Sequence, residues 1–93
     1  MRISVPDPIN NLSFESFIVD SLLGDPQFGR SLHDLLLAHE IEQAAHSKAE
    51  ILELSKPAYD KLVQVMTNPT NGYNPKLSLP LMPFFQAILA ARE

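Results

Sequence analysis

His33, His39 and His46 fall on one stretch of helix-forming sequence, with Glu42 between the last two. Imidazole and carboxylate are ligands that hold zinc when four of them close around the ion. On a single helix, neighbouring ligands stand three or four residues apart. His39 with Glu42 meets that spacing, and so does Glu42 with His46. His39 and His46 themselves lie about 10.5 Å apart along the axis at 1.5 Å per residue, too far to share one ion without help from other segments. His39-Glu40 opens like the helical motif of zinc proteases, but Gln43 stands where the second histidine is needed. The expectation is three solvated histidines, with no metal and no cofactor, and a small metal-dependent enzyme using His39, Glu42 and His46 is the least favoured reading.

Other chemistry fares no better. The carboxylate pairs Glu40 and Glu42, Glu50 and Glu53, and Asp20 and Asp25 lack an apolar setting that would raise a pKa for acid–base work. Ser31, His33 and Asp34 are the right types for a nucleophilic triad, yet side chains so close on one helix start diverge. Ser31 and Asp34 are better explained as a helix cap. No glycine-rich phosphate loop occurs among three glycines, and without cysteine there is no thiolate and no disulfide. The chain reads as non-enzymatic, with no catalytic residues.

The elements follow from periodicity and stop signals. Met1–Val5 alternates weakly and is halted by Pro6 and Pro8. Ser13 is an N-cap for a helix over 14–23, with Phe14, Phe17, Ile18, Ser21 and Leu22 on one face and Gly24 as its stop. Phe28 anchors the following linker. Ser31 with Asp34 caps a second helix from Leu32 to about Ser47, whose buried face is expected at Leu32, Leu35, Leu36, Ala38 or His39, Glu42 and Ala45. Residues 50–54 suit either a strand paired with 1–5 or a continuation of that helix. The fresh start at Ser55-Lys56-Pro57 favours the strand. A third helix then presents Tyr59, Leu62, Val63 and Met66. A loop rich in Asn, Pro and Gly spans 67–75 around Tyr73, and a final helix begins at Pro75 or Pro80. The fold class expected is mainly α, one domain over residues 1–93 with about four helices and a minor two-stranded β element.

Net charge is −4, which works against binding nucleic-acid phosphates, and Asp60 interrupts the pair Lys56 and Lys61. Residues 1–54 carry nine acids against Arg2, Arg30 and Lys48, while residues 55–93 carry four bases against Asp60 and Glu93. Halves of opposite sign can pair within one molecule or between copies. Met1–Pro8 has no apolar core of a secretory leader, so a cytoplasmic protein is expected.

From Leu77 to Ala91 no residue is charged, although Pro80 and Pro83 lie inside the run. At helical rise that length is about 22 Å, short of the roughly 30 Å of a bilayer core. No basic face suits it to a membrane surface either. It must be buried in protein, either in its own core or against a neighbour. The candidate interface is Tyr73, Phe84, Phe85, Ile88 and Leu89.

One set of residues stands apart: Phe28-Gly29 ahead of Leu32–Asp34, Leu52–Leu54 leading into Tyr59-Asp60, and Gly72-Tyr73-Asn74-Pro75 before Pro83-Phe84 and Ala87-Ile88. In these residues the chain resembles small proteins of the morphogenesis gene clusters of tailed bacteriophages and prophages. That resemblance implies a structural or assembly protein, acting as an oligomer or docked on a larger assembly. The alternative is a regulatory adaptor or antitoxin-like module that holds one protein partner.

Overall fold

Two short strands are placed side by side by residues far apart in the chain. In a computed structural model describing residues 1–93, β1 (Arg2–Ser4) pairs antiparallel with β2 (Ile51–Glu53). Ile3 faces Leu52 in this register, and both are buried while their neighbours are exposed. The 50–54 segment is therefore the strand and not an extension of the helix. Arg92 joins the far edge of β1, its N–H donating to the Arg2 carbonyl at 3.0 Å and its carbonyl accepting from the Arg2 N–H at 2.6 Å.

After the prolines, Ile9 and Leu12 exchange backbone hydrogen bonds across Asn10 and Asn11, both left-handed. Asparagine tolerates that geometry, which closes a two-residue hairpin. Ser13 then caps α1 (Phe14–Ser16), its hydroxyl accepting from the Ser16 N–H. The helix widens into a π-helical segment, Phe17–Leu22, and the Leu23 N–H reaches back five residues to the Ile18 carbonyl. Its stop is not the left-handed glycine expected at Gly24, since Gly24 is not among the residues with positive φ. Gly24 instead lies close to backbone, and a Cβ there would meet the Asp20 carbonyl oxygen at 3.0 Å. Asp25 opens the next turn by accepting from the Gln27 N–H, and a 3-10 turn, Pro26–Gly29, buries Phe28.

The long helix α2 (Leu32–His46) starts on the Ser31 hydroxyl, which accepts from the Asp34 N–H at 3.1 Å. It ends through Ser47 and the left-handed Lys48. The face turned inward is only partly the expected one, since Ala38 and Ala45 lie on it and the leucines do not. Leu32, Leu35 and Leu36 are exposed, whereas Ile41 and Ala45 are buried with Leu37, Ala38 and Ala44 packed beside them. On the covered side of the helix the Asp34 carboxylate meets the Lys61 ammonium at 3.3 Å, with both side chains largely shielded from solvent.

Lys61 lies on α3 (Lys56–Thr67), which Ser55 caps and which buries Ala58, Leu62, Val65 and Met66. The charge-free run does not form one helix. It folds as α4 (Pro75–Ser78), a 3-10 turn at Leu79–Leu81, and α5 (Met82–Leu89), and a proline sits in the first turn of each. Proline without an N–H is tolerated only there, so each one restarts the helix. One core joins both strands to α1, α2, α3 and α5, and Phe14, Phe17 and Phe84 stack at its centre with ring centroids 5.1 to 6.2 Å apart. The fold is thus mainly α with a two-stranded sheet, as the sequence reading anticipated. No helix is long and apolar enough to cross a membrane.

Candidate interaction surface

Of the five residues expected at an interface, Phe84 and Ile88 are wholly buried and belong to the core. Spacing could not separate them from Phe85 and Leu89, because one turn of α5 contributes to both sides. Phe84 and Ile88 point inward at i and i+4. Leu89, one position after Ile88, is exposed, while Phe85 is half-buried and packs edge-on against Phe17 at 5.2 Å. Tyr73 joins them through an edge-on contact with Phe85 at 5.4 Å. Its hydroxyl donates to the Met66 carbonyl, which ties the loop to the end of α3. Burial raises the Tyr73 phenol pKa, and the Asp25 charge adds to the rise.

Around Tyr73, Phe85 and Leu89 lies a groove of about 330 Å³, completed by Met66, Leu79 and Met82. Leu79 is 62% exposed and Leu89 56%, with Leu77 exposed nearby. Neither α4 nor the 3-10 turn contains a buried residue. Leu77, Leu79 and Met82 were missed at the sequence level. The signal was present: a run apolar on every side cannot turn all of its residues toward one small core.

On the other side of Tyr73 lies a cleft of about 340 Å³ that holds Asp20, Asp25, Ser21 and Asn71. Burial pushes the Asp25 carboxyl up, but hydrogen bonds from the Gln27 N–H and from the Thr70 N–H and hydroxyl, with the Arg30 charge, outweigh it and hold the pKa below the ordinary value. Asp25 is thus committed to pinning the loop at Thr70. Asp20 is left as a lone surface carboxylate.

The histidines do not converge. His33 and His39 are exposed, and His46 Nδ1 meets Glu15 Oε1 at 2.6 Å, joining α2 to α1. Glu40 is occupied at the start of α3, where its two oxygens accept from the Ser55 N–H and hydroxyl. No three His, Asp or Glu side chains come together as a metal-ligand group. What remains on the surface is apolar: the groove beside α5, and the stripe of Leu32, Leu35 and Leu36 on the outside of α2.

No family model matches this chain, and no match was found among curated proteins or solved structures. The functional reading therefore rests on surface chemistry alone.

Proposed function

We propose that this protein is a non-enzymatic structural or assembly component that works through protein–protein contacts, in the cytoplasm or in a particle built there. The observation that carries the reading is the apolar surface of so short a chain. Leu79, Met82 and Leu89 line one groove and Leu32, Leu35 and Leu36 share one helix face, all exposed. A contiguous apolar surface rimmed by polar residues marks a contact site more often than an accident of folding. Small domains gain stability when such surface is covered by a partner. Within that class, the resemblance to small proteins of tailed-phage and prophage morphogenesis clusters favours particle assembly.

The test places a photo-crosslinking residue at Leu79, and separately at Leu36, in the organism that makes the protein. Adducts with itself, or with structural or assembly proteins encoded by neighbouring genes, are the expected result. An absence of protein adducts at both positions overturns the reading. Adducts confined to a single regulatory protein would replace it with the adaptor alternative.

A further inference from the structure

We propose that copies of this chain associate head to tail, the outer leucine ridge of α2 on one copy seating in the groove beside α5 on the next. The proposal rests on the reading of the protein as one that acts through protein contacts, and it names the partner and both faces.

Leu32, Leu35 and Leu36 stand at i, i+3 and i+4, so their side chains form one ridge on the solvent side of α2. A helix offering anchors at that spacing is what an apolar groove accepts. The groove of about 330 Å³ beside Met66, Tyr73, Leu79, Met82, Phe85 and Leu89 has an almost wholly apolar lining. Ridge and groove share no residue, so the contact between them is heterologous.

Charge selects this pairing over ridge on ridge or groove on groove. Along α2 stand Asp34, Glu40 and Glu42 with no lysine or arginine, while between Lys61 and Arg92 stand three bases and no acid. Asp34 and Lys61 neutralise each other within one molecule. Glu40 is held by Ser55, which leaves Glu42 on the ridge helix and Lys76 on the groove-bearing segment. Lys76 lies in α4, between Pro75 and Ser78 that line the groove. Two ridges brought together would oppose carboxylates, and two grooves would oppose ammonium groups, whereas ridge in groove brings unlike charges together. Each pairing leaves one ridge and one groove free, so association continues into a ring or an open chain.

The experiment measures mass by sedimentation across a concentration series, with fold checked by circular dichroism. Wild-type protein is expected to pass beyond a dimer. Leu36→Glu on the ridge and Leu79→Lys in the groove change exposed positions, and each is expected to remain folded and lose self-association. Mixed in equal amounts, they are expected to form a complex of one copy each that grows no further, since one retains a groove and the other a ridge. Leu32→Gln and Leu89→Gln serve as a second pair should either charged variant misfold. A monomeric wild type, a variant that still dimerises alone, or a mixture that stays monomeric would each overturn head-to-tail pairing. A monomeric wild type that still cross-links to assembly proteins would leave the broader reading in place, so the two fail separately.

Discussion

Asp25 illustrates how much one side chain can hold. Oδ1 accepts from the Gln27 N–H at 2.9 Å and the Thr70 hydroxyl at 3.1 Å, and Oδ2 accepts from the Thr70 N–H at 3.3 Å. It therefore caps one turn and pins a loop distant in sequence. Although burial alone would raise its pKa, the hydrogen bonds and Arg30 bring it below the ordinary value. A depressed folded pKa stabilises the fold above the usual carboxylate range, near pH 4, and that contribution fades as pH falls through the folded value. Asp25→Asn keeps an oxygen for the cap and loses only the charge, so it should cost less than about 1 kcal/mol at pH 7. The difference from wild type should shrink toward pH 2, read by urea midpoints at several pH values. A pH-independent difference would show that the carboxylate's charge is not what matters.

At the scale of elements, α2 shows where periodicity succeeds and where it stops. Ser31, the helix formers that follow it and the polar residues after His46 set its limits, and these were legible. Its orientation was not. Apolar residues occupy both Leu32/Leu35/Leu36 and Leu37/Ala38/Ile41/Ala45, two stripes that a helical period alone cannot rank. In the fold the second stripe is the one packed into the core, and Asp34 is covered with it, paired with Lys61 27 positions away. Ile41→Ala should cost about 2–4 kcal/mol, as for a buried aliphatic side chain. Leu36→Ala should change stability by less than about 0.5 kcal/mol. Chemical denaturation of the two variants checks the order, and the reverse order would restore the face expected from spacing. The C-terminal run carries the same lesson. Pro75, Pro80 and Pro83 were read as helix starts or kinks, and all three are starts, so one expected helix became three short segments.

For the whole molecule, the centre of gravity is the ring cluster of Phe14, Phe17 and Phe84, on which α1, α5 and the sheet converge. A domain of this size has a total stability of roughly 5–14 kcal/mol. Removing a buried phenylalanine costs about 3–5 kcal/mol. Phe84→Ala should therefore lower the thermal midpoint by at least about 15 °C or unfold the chain outright, as followed by circular dichroism. A folded Phe84→Ala protein with an unchanged midpoint would contradict the placement of Phe84 in the core. Leu79 and Leu89, a few residues away on the same run, are exposed and should tolerate substitution far better.

Residue types and spacing were enough for the helix starts and the mainly α class, and they favoured the pairing of the two edge segments without fixing it, because caps, prolines and apolar periods act locally. Burial of the C-terminal run was half legible: its composition demanded cover, but composition has no direction. Tertiary packing assigned Phe84 and Ile88 inward, left Phe85 half-buried and Leu89 outward, and turned Leu32, Leu35 and Leu36 to solvent. Those assignments depend on contacts between segments distant in sequence, such as Asp34 with Lys61 and Phe14 and Phe17 with Phe84, whose energies no local pattern encodes.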